Sequence, residues 1–437
     1  MKLLTKRIGV LGHGVEGASL ADFLKSRRVR DLKIYDEKQN EFSDFSDFSD
    51  RDVLFRSPGI SPNHPALQGF SGKIVSGTDL FLQLCPTKKI IGITGTKGKG
   101  TTATLVSRAF EEANDTTFLV GNIGNPFFAD LPKMRTRDVV VAELSSFQLW
   151  DCGHSPQIAV LLRMSADHLE VHDTFDEYVA AKKNIFLHQK TGGRVVFCAD
   201  CPVASKMVAD LPAERKIPFS TKKELPLGAF LRGEDFVWRD GEGNEETIAE
   251  KKDIKLAGDF NHENILAAIA AAKLLNIRTT PLSVAISKFR GLPFRLQLVA
   301  KNAAGTAFFN DSAATNPAAT AAAIKSLSGP TILMAGGSSK NASFAPLGTA
   351  IADANPKAVI AIGETGPEIL AAAKSAGYTG KTINAGALKT AFAELKKIIS
   401  DGDTVVFSPA SASFDQFENA KDRGEKWTAA VNEFLRG

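Results

Sequence analysis

The chain has 437 residues, 43% of them hydrophobic and 23% charged, an ordinary globular composition with length for roughly two to four domains. Its net charge of +4, from 53 basic and 49 acidic side chains, comes with no long basic run and argues against a nucleic-acid partner. No apolar stretch approaches the roughly 20 residues of a membrane span, and Lys6 and Arg7 interrupt the opening segment, unlike a secretory signal, so a cytoplasmic protein is expected.

Three successive sections alternate short apolar strands with helical patterns, the mark of parallel α/β sheets. The first opens with the strand RIGVLG, a helix over ASLADFLKS and the strand LKIYD. Three Phe-Ser-Asp triplets follow within residues 40–52. They are too few for a solenoid and read as an irregular polar segment whose phenylalanines dip into a core. The second section predicts strands at KIIGIT, VVVAE, QIAVLLR and RVVFC, helices from about Thr101 and near 174–188, antiparallel hairpins within 219–256, and a helix over NHENILAAIAAAKLLN. The third predicts strands at TAFFND, TILMAGG, AVIAIG and TVVFSP, helices at about 317–326, 365–376 and 387–399, and a closing helix. Boundaries near 87 and 292 divide the chain into 1–87, 88–291 and 292–437. The four cysteines include the pair Cys198 and Cys201. With no second pair at zinc spacing, they read as reduced thiols.

The strongest local signal runs from Gly92 to Thr102, between a buried-type strand and a helix. Glycines let a backbone curl around phosphate oxygens with its N–H groups inward, and the new helix adds free N–H groups and a positive dipole end. Gly95, Thr96, Lys97, Gly98, Lys99, Gly100, Thr101 and Thr102 would cradle a nucleotide, with Lys99 reaching its terminal phosphates and Thr101 or Thr102 offering a hydroxyl to magnesium. The usual G-x-x-x-x-G-K-[ST] pattern is not strictly met, because Gly100 stands at the hydroxyl position. VVVAE ends in Glu143, at a strand end suited to a magnesium-holding carboxylate beside such a loop. His168 follows strand QIAVLLR, at the end of an α/β sheet where sites lie.

An earlier turn, Gly12-His13-Gly14-Val15-Glu16-Gly17, also links strand to helix, with Asp36 roughly 20 residues on. It can hold a diphosphate, and Asp36 can accept hydrogen bonds from a sugar or base. NAD and a UDP group satisfy it equally. In the third section, Asn310-Asp311-Ser312, Gly336 to Lys340 and Ser408 to Ser413 end strands and open small polar loops, a binding rim.

Taken in order, these pieces resemble the Mur ligase family, and within it the MurD type, along nearly the whole chain. The most specific stretches are Gly95 to Lys99, Gly121-Asn122-Ile123-Gly124, Glu143 to Leu149, Asp167-His168-Leu169, Ala180-Ala181-Lys182, Asn261 to Asn264, Gly291 to Arg295, Asn310-Asp311-Ser312 with Ala314-Thr315-Asn316, and Ser408 to Gln416. The resemblance implies a three-domain α/β fold: a Rossmann-like UDP-binding domain, a central P-loop ATPase-type mixed sheet and a Rossmann-like C-terminal domain. It implies ATP-dependent addition of glutamate, as the D enantiomer, to UDP-N-acetylmuramoyl-L-alanine through an acyl phosphate, by a monomer with no membrane or nucleic-acid partner. Gly14, Val15, Asp36, Ser57 and Gly59 would bind the UDP end, and Asn122 and Ser145 the muramoyl-alanine part. Glu143 and His168 would hold magnesium, as two ions, together with Lys182 carbamylated by CO2. Asn264, Arg295 and Asp311 would contact ATP. Thr315, Lys340 and Ser413 would position the amino acid.

Two departures stand out. Ala313 replaces a lysine of the MurD pattern in the amino-acid region, which leaves L-glutamate open as the substrate. The Lys99-Gly100-Thr101 spacing resembles the folylpolyglutamate synthetase relatives and shifts the hydroxyl ligand by one residue. Outside the family, a nicotinamide-dependent oxidoreductase built on Gly12–Gly17 and a non-catalytic nucleotide-binding module are the competing readings.

Overall fold

The computed structural model describes residues 3–36, 48–165, 171–256, 258–327, 329–339 and 342–436. The chain divides into two compact units, Met1–Ile254 with Asp259–Phe289, and Lys255–Gly258 with Arg290–Gly437.

The first unit carries two sheets. One is parallel and four-stranded in the order β2-β1-β3-β4, built from β1 (Arg7–Leu11), β2 (Asp31–Tyr35), β3 (Val53–Arg56) and β4 (Lys73–Ser76). Helix α1 (Val15–Ser26) crosses from β1 to β2, and α2 (Gly77–Leu84) follows β4. The Phe-Ser-Asp run lies mostly outside the described residues. Its Phe48 is buried and meets Tyr35 and Phe70 edge-on at 5.8 and 5.7 Å, so that phenylalanine does enter a core.

The larger sheet has nine strands in the order β13-β12-β11-β10-β9-β8-β5-β7-β6. They are β5 (Ile90–Thr94), β6 (Thr117–Gly121), β7 (Val139–Glu143), β8 (Ile158–Leu161), β9 (Arg194–Cys198), β10 (Lys216–Ser220), β11 (Gly228–Arg232), β12 (Asp235–Arg239) and β13 (Glu245–Glu250). Every residue of β5 and β7 is buried, as expected of parallel strands covered on both faces. The covering helices are α3 (Lys99–Glu112), α4 (Phe127–Asp130), α5 (Ser146–Leu149), α6 (Phe175–Leu187), α7 (Pro202–Met207), α8 (Phe260–Lys273) and α9 (Thr279–Lys288). In α8 the run Asn264 to Lys273 is buried throughout, because its alanines let helix and sheet approach closely. The expected hairpins are real: β11, β12 and β13 pair antiparallel. Their rim carries ion pairs of Arg232 and Arg239 with Glu224 and Glu245, charges that blunt a sheet edge.

The second unit holds one sheet in the order β14-β15-β19-β16-β17-β18. Its strands are β14 (Gln297–Lys301), β15 (Ala307–Asn310), β16 (Thr331–Ala335), β17 (Ala358–Ile362), β18 (Lys381–Gly386) and β19 (Thr404–Phe407). Only β14 runs antiparallel. Helices α10 (Pro317–Lys325), α11 (Ala345–Ala354), α12 (Gly366–Ser375), α13 (Leu388–Lys396) and α14 (Ala420–Phe434) cover it. Trp427 of α14 is fully buried and stacks on Phe407 at 5.6 Å.

In both larger sheets the strand order doubles back. The chain passes from β5 to the edge strand β6, returns to β7, and crosses to β8 on the far side of β5. Loops at such a reversal splay apart and leave a crevice beyond the strands' carboxyl ends.

Candidate active site

The glycine-rich loop of residues 95–98, the candidate phosphate loop, lies at that crevice between the end of β5 and the start of α3. Gly98 caps α3 with φ +87°, and a Cβ there would lie 2.0 Å from Asn264 Oδ1, so only glycine fits. Thr102 is fully buried, its hydroxyl 3.5 Å from both the carbonyl and the side-chain oxygen of Asn264, whereas Thr101 is half-exposed. Asn264 also donates to Asn261 at 2.8 Å. Lys99 Nζ donates to the carbonyls of Gly95 and Thr96 at 3.0 and 3.1 Å.

Lys182 is not on an exposed helix face. Only 1% of it is accessible, and its Nζ donates to Thr94 Oγ1 at 3.2 Å and to Gly95 O at 3.1 Å. One turn earlier on α6, Tyr178 places its ring 4.6 Å from that ammonium and its hydroxyl 3.0 Å from Thr96 Oγ1, a cation–π contact at helical i, i+4 spacing. Two lysines far apart in the chain therefore meet on the carbonyl of Gly95.

Glu143 ends β7, the neighbour of β5, with Ile93 as its register partner. It is buried, and Asn122 donates to its Oε1 at 3.0 Å. Among the described residues no other side chain donates to Glu143, and no group of three or more His, Cys, Asp or Glu side chains is arranged to hold a metal ion. Ser145 caps α5: its hydroxyl accepts from Gln148 N at 3.2 Å, and Gln148 Oε1 accepts from Ser145 N at 2.7 Å. His172, fully buried, shares a hydrogen bond of 2.9 Å with Ser146 Oγ, stacks with Phe147 and meets the tilted ring of Trp150. His168 lies outside the described residues.

At the first turn, Gly14 caps α1 and Val15 is 75% exposed. Gly17 packs so closely that a Cβ would fall 1.9 Å from Gly12 O. Asp36 accepts from His13 N at 2.6 Å and Ser57 donates to Gly12 O at 2.9 Å, so both close the turn. Gly59 is exposed beside them. Glu16 accepts a hydrogen bond from Gln148 Nε2. Arg56, fully buried, donates to Asp151 at 2.7 and 3.1 Å and to Phe147 O at 3.1 Å.

In the second unit the loops after β15, β16 and β19 form the rim. Asp311 accepts from Ser408 Oγ at 2.7 Å and from Leu296 N at 3.1 Å. Burial pushes its carboxyl up to about 6, against the pull of those hydrogen bonds and of Arg295. Arg295 is exposed between Phe294 and Leu296, at φ +61° and +44°, left-handed conformations costing about 1–2 kcal/mol each for such residues. Thr315 is half-exposed and Ser413 is buried. Lys340 lies outside the described residues. Arg423 was not singled out by any motif. Fully buried on α14, it donates to Ser312 Oγ (3.0 Å), Ser312 O (2.9 Å), Ser411 O (3.0 Å) and Ala412 O (2.7 Å).

Gln148, Tyr178 and Arg423 were given no role of their own in the sequence because each acts through a partner distant along the chain. Only Tyr178 leaves a local trace, its spacing from Lys182. Cys198 and Cys201 are buried free thiols, and burial pushes Cys198 up to about 12, which makes it a poor nucleophile. No helix among the described residues is long and apolar enough to cross a membrane.

Two family models match the chain, the Mur ligase middle domain over residues 93–272 and the Mur ligase glutamate ligase domain over residues 294–411. The UDP-N-acetylmuramoylalanine–D-glutamate ligase of Symbiobacterium thermophilum is 34% identical over 98% of both chains. That of Acetivibrio thermocellus is 35% identical over 99% of this chain and 97% of its own. Among solved structures, the UDP-N-acetylmuramate–alanine ligase of Thermotoga maritima superposes with a TM-score of 0.60 at 16% identity, covering 98% of this chain and 99% of its own. A pseudomurein peptide ligase of Methanothermus fervidus gives 0.59 at 18% identity, covering 99% and 100%. At such identities the likeness is one of fold.

Proposed function

The chain belongs to the Mur ligase family, and from that premise we propose that it joins D-glutamate to UDP-N-acetylmuramoyl-L-alanine at the expense of ATP. The observation that carries this reading is the meeting of Lys99 and Lys182 on Gly95 O, beside the strand that ends in Glu143. A loop able to hold a triphosphate, with a buried amine and a buried carboxylate at its side, suits phosphoryl transfer to an acid better than hydride transfer.

The backbone N–H groups of Gly95 to Thr102 and the start of α3 hold the ATP phosphates, and Lys99 unfolds from its own loop carbonyls to neutralise the γ-phosphate. A precursor carboxylate oxygen bonds to the γ-phosphorus as the bond to the β–γ bridging oxygen breaks, releasing ADP. The amine of glutamate then attacks the acyl phosphate carbon. Phosphate leaves, and the amine's surplus proton passes to solvent. The loops bearing Asp311, Arg295 and Thr315, Ser413 and Lys340 serve ATP and the amino acid. Asn122 and Ser145 face the muramoyl end. Gly14, Val15, Asp36, Ser57 and Gly59 form the UDP seat.

Two magnesium ions would be held by Glu143, Thr101, His168 and Lys182 as a carbamate. The donors fit, since oxygens predominate, Glu143 Oε2 accepts no hydrogen bond among the described residues, and Thr101 rather than Thr102 keeps its hydroxyl free of Asn264. When bound, magnesium neutralises charge on the phosphoryl group in flight. Carbamylation adds CO2 to the neutral amine and releases a proton. It also replaces one of two cations crowded on a single carbonyl by an anion, relieving their repulsion. We place the enzyme in the cytoplasm, acting as a monomer.

An amino-acid panel tests the reading. Phosphate release should require ATP, the UDP precursor and D-glutamate together. Release with L-glutamate alone would move the activity within the family, and release without the precursor would overturn it.

A further inference from the structure

Glu16 stands where a carboxylate is unwelcome, on the first turn of α1 beside a seat for a diphosphate, because neighbouring negative charges repel. Its neighbours explain how it is kept. Gln148 is 1% exposed, and its amide oxygen must face Ser145 N, which can only donate. The amide nitrogen is thereby turned to Glu16 Oε1. Position 16 must accept a hydrogen bond, and the orientation is not reversible. The same segment is held to the first sheet a second time, where Arg56 grips Phe147 O and Asp151. The stretch from Glu143 through Ser145 to Asp151 is thus fastened to the glycine turn and to β3.

Resting on the proposed precursor, we infer that Glu16 is a positioning residue: through Gln148 it sets Ser145 against the diphosphate turn, and it takes up a proton when the UDP-linked precursor binds. Protonation removes the repulsion while the carboxyl's other oxygen still accepts from Gln148. The proton comes from the buffer and no other bond changes. The charge acting on Glu16 from the packed elements is Arg56 on β3, itself paired with Asp151 after α5, while His13 shares the turn. Burial already pushes the Glu16 carboxyl up to about 7, despite the Gln148 hydrogen bond and Arg56, so a diphosphate needs to add little.

Calorimetric titration of UDP-N-acetylmuramoyl-L-alanine into the full chain at pH 7.5, in buffers of different ionisation heat, tests this. Wild type should take up on the order of half a proton per precursor bound. Glu16→Gln, which keeps an acceptor for Gln148, should take up none of it. Glu16→Leu should bind the precursor roughly tenfold more weakly, with ATP affinity unaltered, and Glu16→Gln should recover most of that loss. Equal proton uptake in wild type and Glu16→Gln, or full affinity in Glu16→Leu, overturns the inference alone. A wild-type chain that binds no precursor overturns the proposed function beneath it.

Discussion

The phosphate loop and the rim of the second unit both lie at strand ends, yet they are shaped by opposite means. In the loop the backbone sets the form: Gly98 takes a left-handed turn that no side chain could share with Asn264, and Lys99 and Lys182 lean on carbonyls they can leave. In the rim one side chain sets the form, because Arg423 satisfies carbonyls of two different loops from the middle of a core. A site shaped by backbone keeps its shape when a chemical group is removed. A site shaped by a buried guanidinium does not.

That contrast can be broken most directly at Lys99. Lys99→Ala should cut the rate of phosphate release by at least about a thousandfold, with a melting temperature close to wild type. A large fall in melting temperature would mean that the lysine shapes the loop. Lys182→Ala should lose roughly a hundredfold or more, partly restored by a short carboxylate in the buffer. Full activity without rescue would remove the carbamate.

Arg423→Met should act the other way, destabilising the second unit by about 3–5 kcal/mol in chemical denaturation, since it strands buried acceptors. Arg423→Lys should recover little, lacking the planar fork. An unchanged denaturation midpoint would erase the distinction between the two regions.

The smallest effect concerns Asp311. Its folded carboxyl, raised to about 6 from 3.8, holds a proton more tightly than the unfolded chain does. The stability this contributes is complete below about pH 4 and is lost as pH rises through about 6, by up to about 3 kcal/mol. Denaturation at pH 4.5 and 7.5 should show a smaller loss in Asp311→Asn than in wild type. An identical loss would show that the rim does not feel the charge.

The glycine-rich loop between β5 and α3 was legible in the sequence because its parts are contiguous: strand, glycines, lysine and helix follow one another from Ile90. The main α/β strands and the 219–256 hairpins were legible for a similar reason, periodicity being local. Short or partly exposed strands such as β14 and β18 were not foreseen, because their apolar content is too thin to show a pattern. Nothing in the sequence around Lys182 shows that it is buried. Its burial depends on β5 passing beneath α6, which no window of sequence contains.

By itself the sequence determined the order of the three α/β sections, the place of the glycine-rich loop after β5 and the family, since each rests on residues adjacent along the chain. Tertiary structure alone decided that Lys99 and Lys182 share one carbonyl, that Thr102 is buried while Thr101 stays accessible, and that Glu16 turns to Gln148. Those outcomes depend on which strands become neighbours, and burial and hydrogen bonding act through space between residues that sequence order keeps apart.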